Sequence, residues 1–286
     1  QMTRRDTRYP LADGHLAAIE YGYSQTADCS IVFLHGWLDN AASFESLMQE
    51  LHQSAPSLHL CAIDLPGHGH SSHKPGSNFY PFHDYIDDVY QFLANLSPNR
   101  LVLVGHSLGA LIASCYSAAF PEQISGLVQI EGHGPLAEEE SETVSRLREG
   151  VLSRQRVRSK PTRAFESNAT AVDVRAKVNQ IASDLIRPIV QRGLLKTNDG
   201  WIWRHDEKLQ SQSLYRMSFE HAQSISRQIT CPQIVVLGEQ GFPHLQKTQD
   251  DTPNPAEIFT VEGGHHCHLQ VPSRVSNLIF GLVNKI

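Results

Sequence analysis

Between Arg100 and Glu122 the chain runs for 21 residues, LVLVGHSLGALIASCYSAAFP, without an Asp, Glu, Lys or Arg. A stretch this long and this apolar must be buried, in a bilayer or in a protein core. Gly105-His106-Ser107 breaks it, and Ser114 and Ser117 interrupt its second half. The break falls where a soluble fold turns, so the run reads as a buried strand, a tight turn and a buried helix. No membrane span is expected. A strand that leads straight into a buried helix belongs to a layered α/β architecture.

The rest of the chain repeats that alternation. Ser30 to Leu34, Leu58 to Ile63, Leu101 to Val104 and Gly126 to Ile130 read as strands. Between them, Ala41 to Gln53, Phe82 to Leu96 and Leu108 to Phe120 have helical periodicity. Strands alternating with helices predict βαβ units and a mostly parallel sheet, with Leu16 to Tyr23 as an antiparallel edge. From Gly134 the texture changes: Glu138 to Lys160 is charge-dense and helical in period, and further helical pieces run from Ala169 to Leu195. Gly200 to Asp206 interrupts them. Strand character returns at Gln233 to Leu237 and Glu257 to Val261, and a last helix is expected from Ser273 to Lys285. The organisation expected is a core of residues 1–133 and 225–286, split by a helical insertion of residues 134–224.

Composition narrows the function classes. Over 286 residues, 40% hydrophobic and 19% charged side chains suffice for a folded core. The charge balance, 24 Lys and Arg against 30 Asp and Glu, leaves −6 and no basic stripe, so nucleic acid is not an expected partner. Cys29, Cys61, Cys115, Cys231 and Cys267 are scattered and never form C-x-x-C, which points to buried thiols in a reducing compartment. Gln1 to Pro10 is polar and Arg-rich with no apolar centre, so no signal peptide is expected and the location expected is cytoplasmic.

Four segments can carry chemistry. Gly105-His106-Ser107-Leu108-Gly109 is G-x-S-x-G between a strand and a helix, a sharp turn that lifts a serine Oγ above the sheet. The next helix points its free N–H groups at that serine, which suits a developing oxyanion. His35-Gly36-Trp37-Leu38-Asp39-Asn40 is a second strand-to-helix turn; it can present the Trp37 N–H beside that of Leu108 as an oxyanion pair. Asp64 to Ser71, DLPGHGHS, reads as structural, with Asp64 binding backbone N–H groups. Glu262 to Leu269, EGGHHCHL, has the look of a metal tract. Adjacent side chains on one short loop diverge, however, and no distant Cys/His cluster complements them, so neither metal nor other cofactor is expected. One histidine acting as general base to Ser107 is the economical reading.

Taken together and in this order, HGWLDN, DLPGHGHS, GHSLG and GGHHCHL resemble the α/β-hydrolase family, over nearly the whole chain. Within it the chain looks most like the capped serine hydrolase-like branch. The resemblance implies an eight-stranded, mostly parallel sheet with a helical cap after the sixth strand, and a nucleophile–acid–histidine order along the chain. Ser107 takes the nucleophile position and His265 the histidine position. Serine rather than Asp at 107 argues against dehalogenase or epoxide hydrolase chemistry.

The acid departs from the family pattern. The usual Asp, in G-x-x-D, falls on Gly241 in Gly238-Glu239-Gln240-Gly241. Some branches place the acid after the sixth strand, where this chain has Ile130-Glu131-Gly132. Glu131 is therefore the expected acid, ahead of Glu239, Asp250 and Asp251. The function expected is a serine hydrolase acting on an ester or related acyl bond of a small molecule. The alternatives are a C–C hydrolase, thioesterase or perhydrolase on the same triad, or a non-catalytic binding protein of the same fold. Trp201 and Trp203 are candidate pocket lining, with anchoring of the cap as the competing reading. Substrate identity and oligomeric state are not legible.

Overall fold

The computed structural model describes residues 3–286; Gln1 and Met2, part of the segment read above for a signal peptide, lie outside the described residues. The sheet strands are β1 (Arg5–Leu11), β2 (Gly14–Tyr21), β3 (Cys29–Leu34), β4 (His59–Ile63), β5 (Arg100–His106), β6 (Gly126–Ile130), and, beyond a small hairpin of β7 (Leu194–Thr197) and β8 (Gly200–Trp203), β9 (Gln233–Gly238) and β10 (Glu257–Val261). Eight of these strands form one sheet in the order β1-β2-β4-β3-β5-β6-β9-β10. The β1–β2 and β2–β4 pairings are antiparallel. From β4 through β3, β5, β6 and β9 to β10 every pairing is parallel.

The middle strands read as continuous apolar runs because helices cover both sheet faces. In β3, Ile31 and Phe33 face one layer and Val32 and Leu34 the other, all fully buried. The first layer packs under α1 (Glu45–Ser54) and α10 (Pro272–Val283), the second under α2 (Asp84–Leu96) and α3 (Leu108–Ala119). Each fully buried aliphatic or aromatic side chain in these layers contributes roughly 1.5–3 kcal/mol. Helix α3 is apolar all round, and so is buried nearly all round. No helix of the described residues is long and apolar enough to cross a membrane.

After β6 the chain leaves the sheet to make α4 (Thr143–Ser159), α5 (Asn168–Asn179), α6 (Ser183–Arg192), the β7–β8 hairpin and α7 (Phe219–Ser226), then returns through β9. Two short helices, α8 (Pro243–Gln246) and α9 (Cys267–Gln270), follow β9 and β10. One edge was unexpected: the polar, Arg-rich start is an edge strand, β1, outside the edge expected at residues 16–23. Gly200–Trp203 interrupts the helices, and does so as half of a hairpin.

The candidate active site

The loops leaving the carboxyl ends of β3, β5, β6, β9 and β10 meet above the middle of the sheet, where ligands bind in open α/β folds. At the end of β5, Ser107 has φ 54° and ψ −116°, the strained turn that a strand needs to enter a helix with no intervening loop. The turn closes only with glycines beside it: a Cβ on Gly105 would strike the Gly109 carbonyl, and one on Gly109 the Leu34 carbonyl. Ser107 and Glu131 line one cavity of about 700 Å³.

Glu131 follows β6 with φ 49°, a second non-glycine residue held in the left-handed region. Its carboxylate is fully buried and accepts from the Gly238 N–H at 3.0 Å and the Phe242 N–H at 3.0 Å. Its Oε1 also lies 3.1 Å from Nδ1 of His265, across the end of β9. Gly241 explains how the carboxylate gets there. A Cβ at Gly241 would fall on the Glu131 carboxylate itself. The position where the family pattern has its Asp is therefore left without a side chain, and the space is filled from the neighbouring strand.

His265 is held on three sides. Phe242 stacks on its ring with centroids 3.8 Å apart and planes 16° from parallel. His106 Nε2 donates to the His265 carbonyl at 2.6 Å. Burial, reinforced by the neighbouring histidines, holds the His106 pKa well below its ordinary value, so the ring is a neutral Nε2–H donor. Neither Phe242 nor His106 was singled out by the sequence; an aromatic after a glycine and the variable residue of G-x-S-x-G carry no signal of their own.

The other histidines of the tract point elsewhere. His266 Nε2 is 2.9 Å from Asp39, and His268 Nε2 is 2.7 Å from the Ser43 hydroxyl. Burial lowers the pKa of His268 to about 3. The expectation that nothing distant complements the tract is corrected: Asp39, His106 and His266 bring one potential ligand atom each within 4.8 Å of one another. His266 Nε2 is bonded to Asp39 and His106 Nε2 to the His265 carbonyl, while Nδ1 of each ring is buried without a partner. Asp39 also takes Arg175 at 2.6 Å, and a guanidinium there competes with any cation. Burial would raise the Asp39 pKa, but His266 and Arg175 outweigh it and hold it well below the usual carboxylate value. Glu20, His59 and Cys61 also converge; His59 is bonded to Glu20 at 2.6 Å and to Ser30 at 2.8 Å.

The turn after β3 is built by two more buried imidazoles. His35 donates from Nδ1 to the Gly36 carbonyl and accepts at Nε2 from the Leu65 N–H. His68 donates to the Pro66 carbonyl and accepts from the Leu38 N–H. Burial pushes both pKa values down, which matches rings that donate at one nitrogen and accept at the other. Among the described residues, neither the Trp37 nor the Leu108 N–H donates to a protein acceptor.

Of the other candidate acids, Glu239 is exposed beyond β9, and Asp251 is exposed. Asp250 is not simply solvated: it bonds His133 at 3.1 Å and the Ala256 N–H at 3.0 Å. Asp64 is structural, accepting from the Ala41 and His70 N–H groups and binding Arg192. Trp201 and Trp203 do not line the Ser107 cavity. They pack with Ala171, Ile186 and Ile189 over Ala42 and Leu269, so their surface anchors the insertion on the core.

Comparison with known proteins agrees with this fold. The model of the α/β hydrolase fold matches residues 30–272. The serine hydrolase-like protein of Danio rerio is 26% identical over 285 residues, covering 95% of this chain and 86% of that one. The Mycobacterium tuberculosis esterase Rv0045c is 25% identical over 275 residues, 95% of this chain and 87% of its own. Among solved structures, the hypothetical protein PA1622 of Pseudomonas aeruginosa PAO1 superposes with a TM-score of 0.86 at 32% identity, covering 96% of this chain and 99% of that one. The chain belongs to the α/β hydrolase fold family, and its relatives are serine hydrolase-like proteins and esterases.

Proposed function

We propose that the chain is a serine hydrolase that cleaves a carboxylic ester or related acyl bond through an acyl-Ser107 intermediate. Ser107 Oγ attacks the carbonyl carbon while His265 takes its proton, and Glu131 holds the imidazole by Nδ1 and stabilises the imidazolium. The N–H groups of Trp37 and Leu108 receive the oxyanion. His265 then gives its proton to the departing alcohol, and water reverses the sequence on the acyl-enzyme. Residues 134–224 act as a cap that bounds the substrate cavity from above the sheet.

One observation carries this reading: the 3.1 Å contact between the Glu131 carboxylate and His265 Nδ1, beside the cavity that Ser107 lines. The other buried carboxylate–imidazole pairs, Asp39–His266 and Glu20–His59, do not border the cavity that Ser107 lines, whereas Glu131 does. The esterase and serine hydrolase-like names of relatives support the same class, and buried, free cysteines suit a reducing, cytoplasmic setting. Steady-state kinetics of Ser107→Ala and His265→Ala on p-nitrophenyl esters test it. Each should fold normally and lose on the order of 10³-fold or more in kcat. Activity retained in either variant contradicts the assignment.

A further inference from the structure

Two cavities adjoin across Leu111 and Leu136; Ser107 lines the larger, and Leu108, the next residue along the chain, lines the smaller. The large one, about 700 Å³, is bordered by Ser107, Glu131 and Phe242, and farther out by His133, Gln223 and Arg227. The small one, about 190 Å³, is bordered by Trp37 and Leu108 and walled by Tyr80, Phe82, Tyr215 and Met217, with Lys208 and Arg216 also on its lining. Leu111 and Leu136 border both and form the divide.

We infer that the small cavity takes the acyl group and the large cavity the leaving group, so that the substrates are esters or thioesters joining a compact, ring-sized acid to a bulky alcohol or thiol. This rests on the hydrolase reading above. Stereochemistry decides which group enters which cavity. When the Ser107 Oγ–carbon bond forms, the tetrahedral carbon carries Oγ, the oxyanion, the acyl carbon and the leaving heteroatom. The carbon–heteroatom bond then breaks with its electron pair going to the heteroatom, which must take the proton that His265 removed from Ser107. It therefore departs on the His265 side. That side is the large cavity, because Glu131 and Phe242, the two side chains holding the His265 ring, both border it. The oxyanion is drawn toward the Trp37 and Leu108 N–H groups, and the acyl carbon beside it is directed into the cavity that Trp37 and Leu108 border.

Volume then sets size. A cavity of about 150 Å³ is large enough for benzene, so by volume 190 Å³ has room for a phenyl-sized group or an alkyl chain of roughly six carbons, set against Tyr80, Phe82 and Tyr215. The large cavity lies within the range of sites for drug-sized ligands, about 300–1,000 Å³.

A two-way ester panel tests the assignment, with acids from acetate through hexanoate and phenylacetate to dodecanoate, and alcohols from methanol to a naphthyl or larger polar alcohol. On one leaving group, kcat/KM should peak near hexanoate or phenylacetate and fall roughly tenfold or more by dodecanoate. On one acid, bulky alcohols should be accepted. Two substitutions at exposed side chains separate the cavities without burying new polar groups. Tyr215→Ala should move the acyl optimum to longer acids, and Gln223→Trp should lower the ratio of bulky to methyl leaving groups by about tenfold. If Tyr215→Ala alters only the leaving-group preference and Gln223→Trp only the acyl preference, the assignment is reversed and falls. Flat acyl dependence across the panel also overturns it. Absence of both turnover and a fluorophosphonate adduct on Ser107 overturns the hydrolase reading itself, and this inference with it.

Discussion

The acid proposed for the triad is set at the residue scale. Glu131 and Gly241 are complementary: one supplies a carboxylate, the other the space it occupies. A methyl group is enough to break the arrangement. Gly241→Ala should displace the carboxylate from His265 and lower kcat roughly 10²-fold or more, although position 241 touches no substrate. Turnover within about twofold of wild type would show that the carboxylate is not needed where it lies. Glu131→Gln should lower kcat by roughly 10²–10⁴. It should not be silent in stability, because an amide cannot accept from both the Gly238 and Phe242 N–H groups as the carboxylate does. One donor is left facing an NH₂ group, a cost of about 1–3 kcal/mol, visible as a lower midpoint in urea. The residues proposed from the sequence, Ser107, Glu131 and His265, each lie in a loop beyond a strand end near a glycine, and the structure pairs Glu131 with His265 beside the cavity that Ser107 lines. Those that were not, His106 and Phe242, act through a backbone carbonyl contact and a ring stack that spacing does not encode.

At the scale of elements, the parallel core was legible because its strands are apolar on both faces and its helices amphipathic or wholly buried. Strand β1 was not, since RDTRYPL alternates half-buried and exposed positions with Arg, Asp and Thr among them, as an edge strand can. Nor were the joints between the insertion and the core. Arg175 of α5 binds Asp39, 136 positions away, and Arg192 of α6 binds Asp64, 128 positions away, at 2.9 Å. Such pairs are set by tertiary packing, so no local pattern records them. Asp64 and Asp39 are both buried, so deleting either arginine leaves a buried carboxylate short of its counter-ion. Arg192→Ala should destabilise by about 3–5 kcal/mol in chemical denaturation. A loss below about 1 kcal/mol would mean that the backbone N–H groups of Ala41 and His70 suffice for Asp64.

The whole molecule is marked by its buried imidazoles. His35, His68, His106 and His268 are enclosed with pKa values below the ordinary one, primarily through burial. The unfolded chain protonates its histidines near pH 6.5, whereas these stay neutral in the folded state to lower pH. Below pH 6.5 the unfolded state therefore binds more protons, and stability falls as pH drops. Each such imidazole contributes at most about 1.4 kcal/mol per pH unit within that window. The melting temperature should be flat from about pH 7 to 8 and fall steeply between about 6 and 5; a flat profile to pH 5 would mean that these rings are already protonated when folded.

The proposed chemistry rests on one serine at the end of β5. Intact-mass spectrometry with peptide mapping, after incubation with a fluorophosphonate, reads its reactivity directly. A single adduct on Ser107, absent from Ser107→Ala and strongly slowed in His265→Ala and Gly241→Ala, is the expected result. No adduct on the folded protein, or an adduct on any other residue, would contradict a catalytic Ser107.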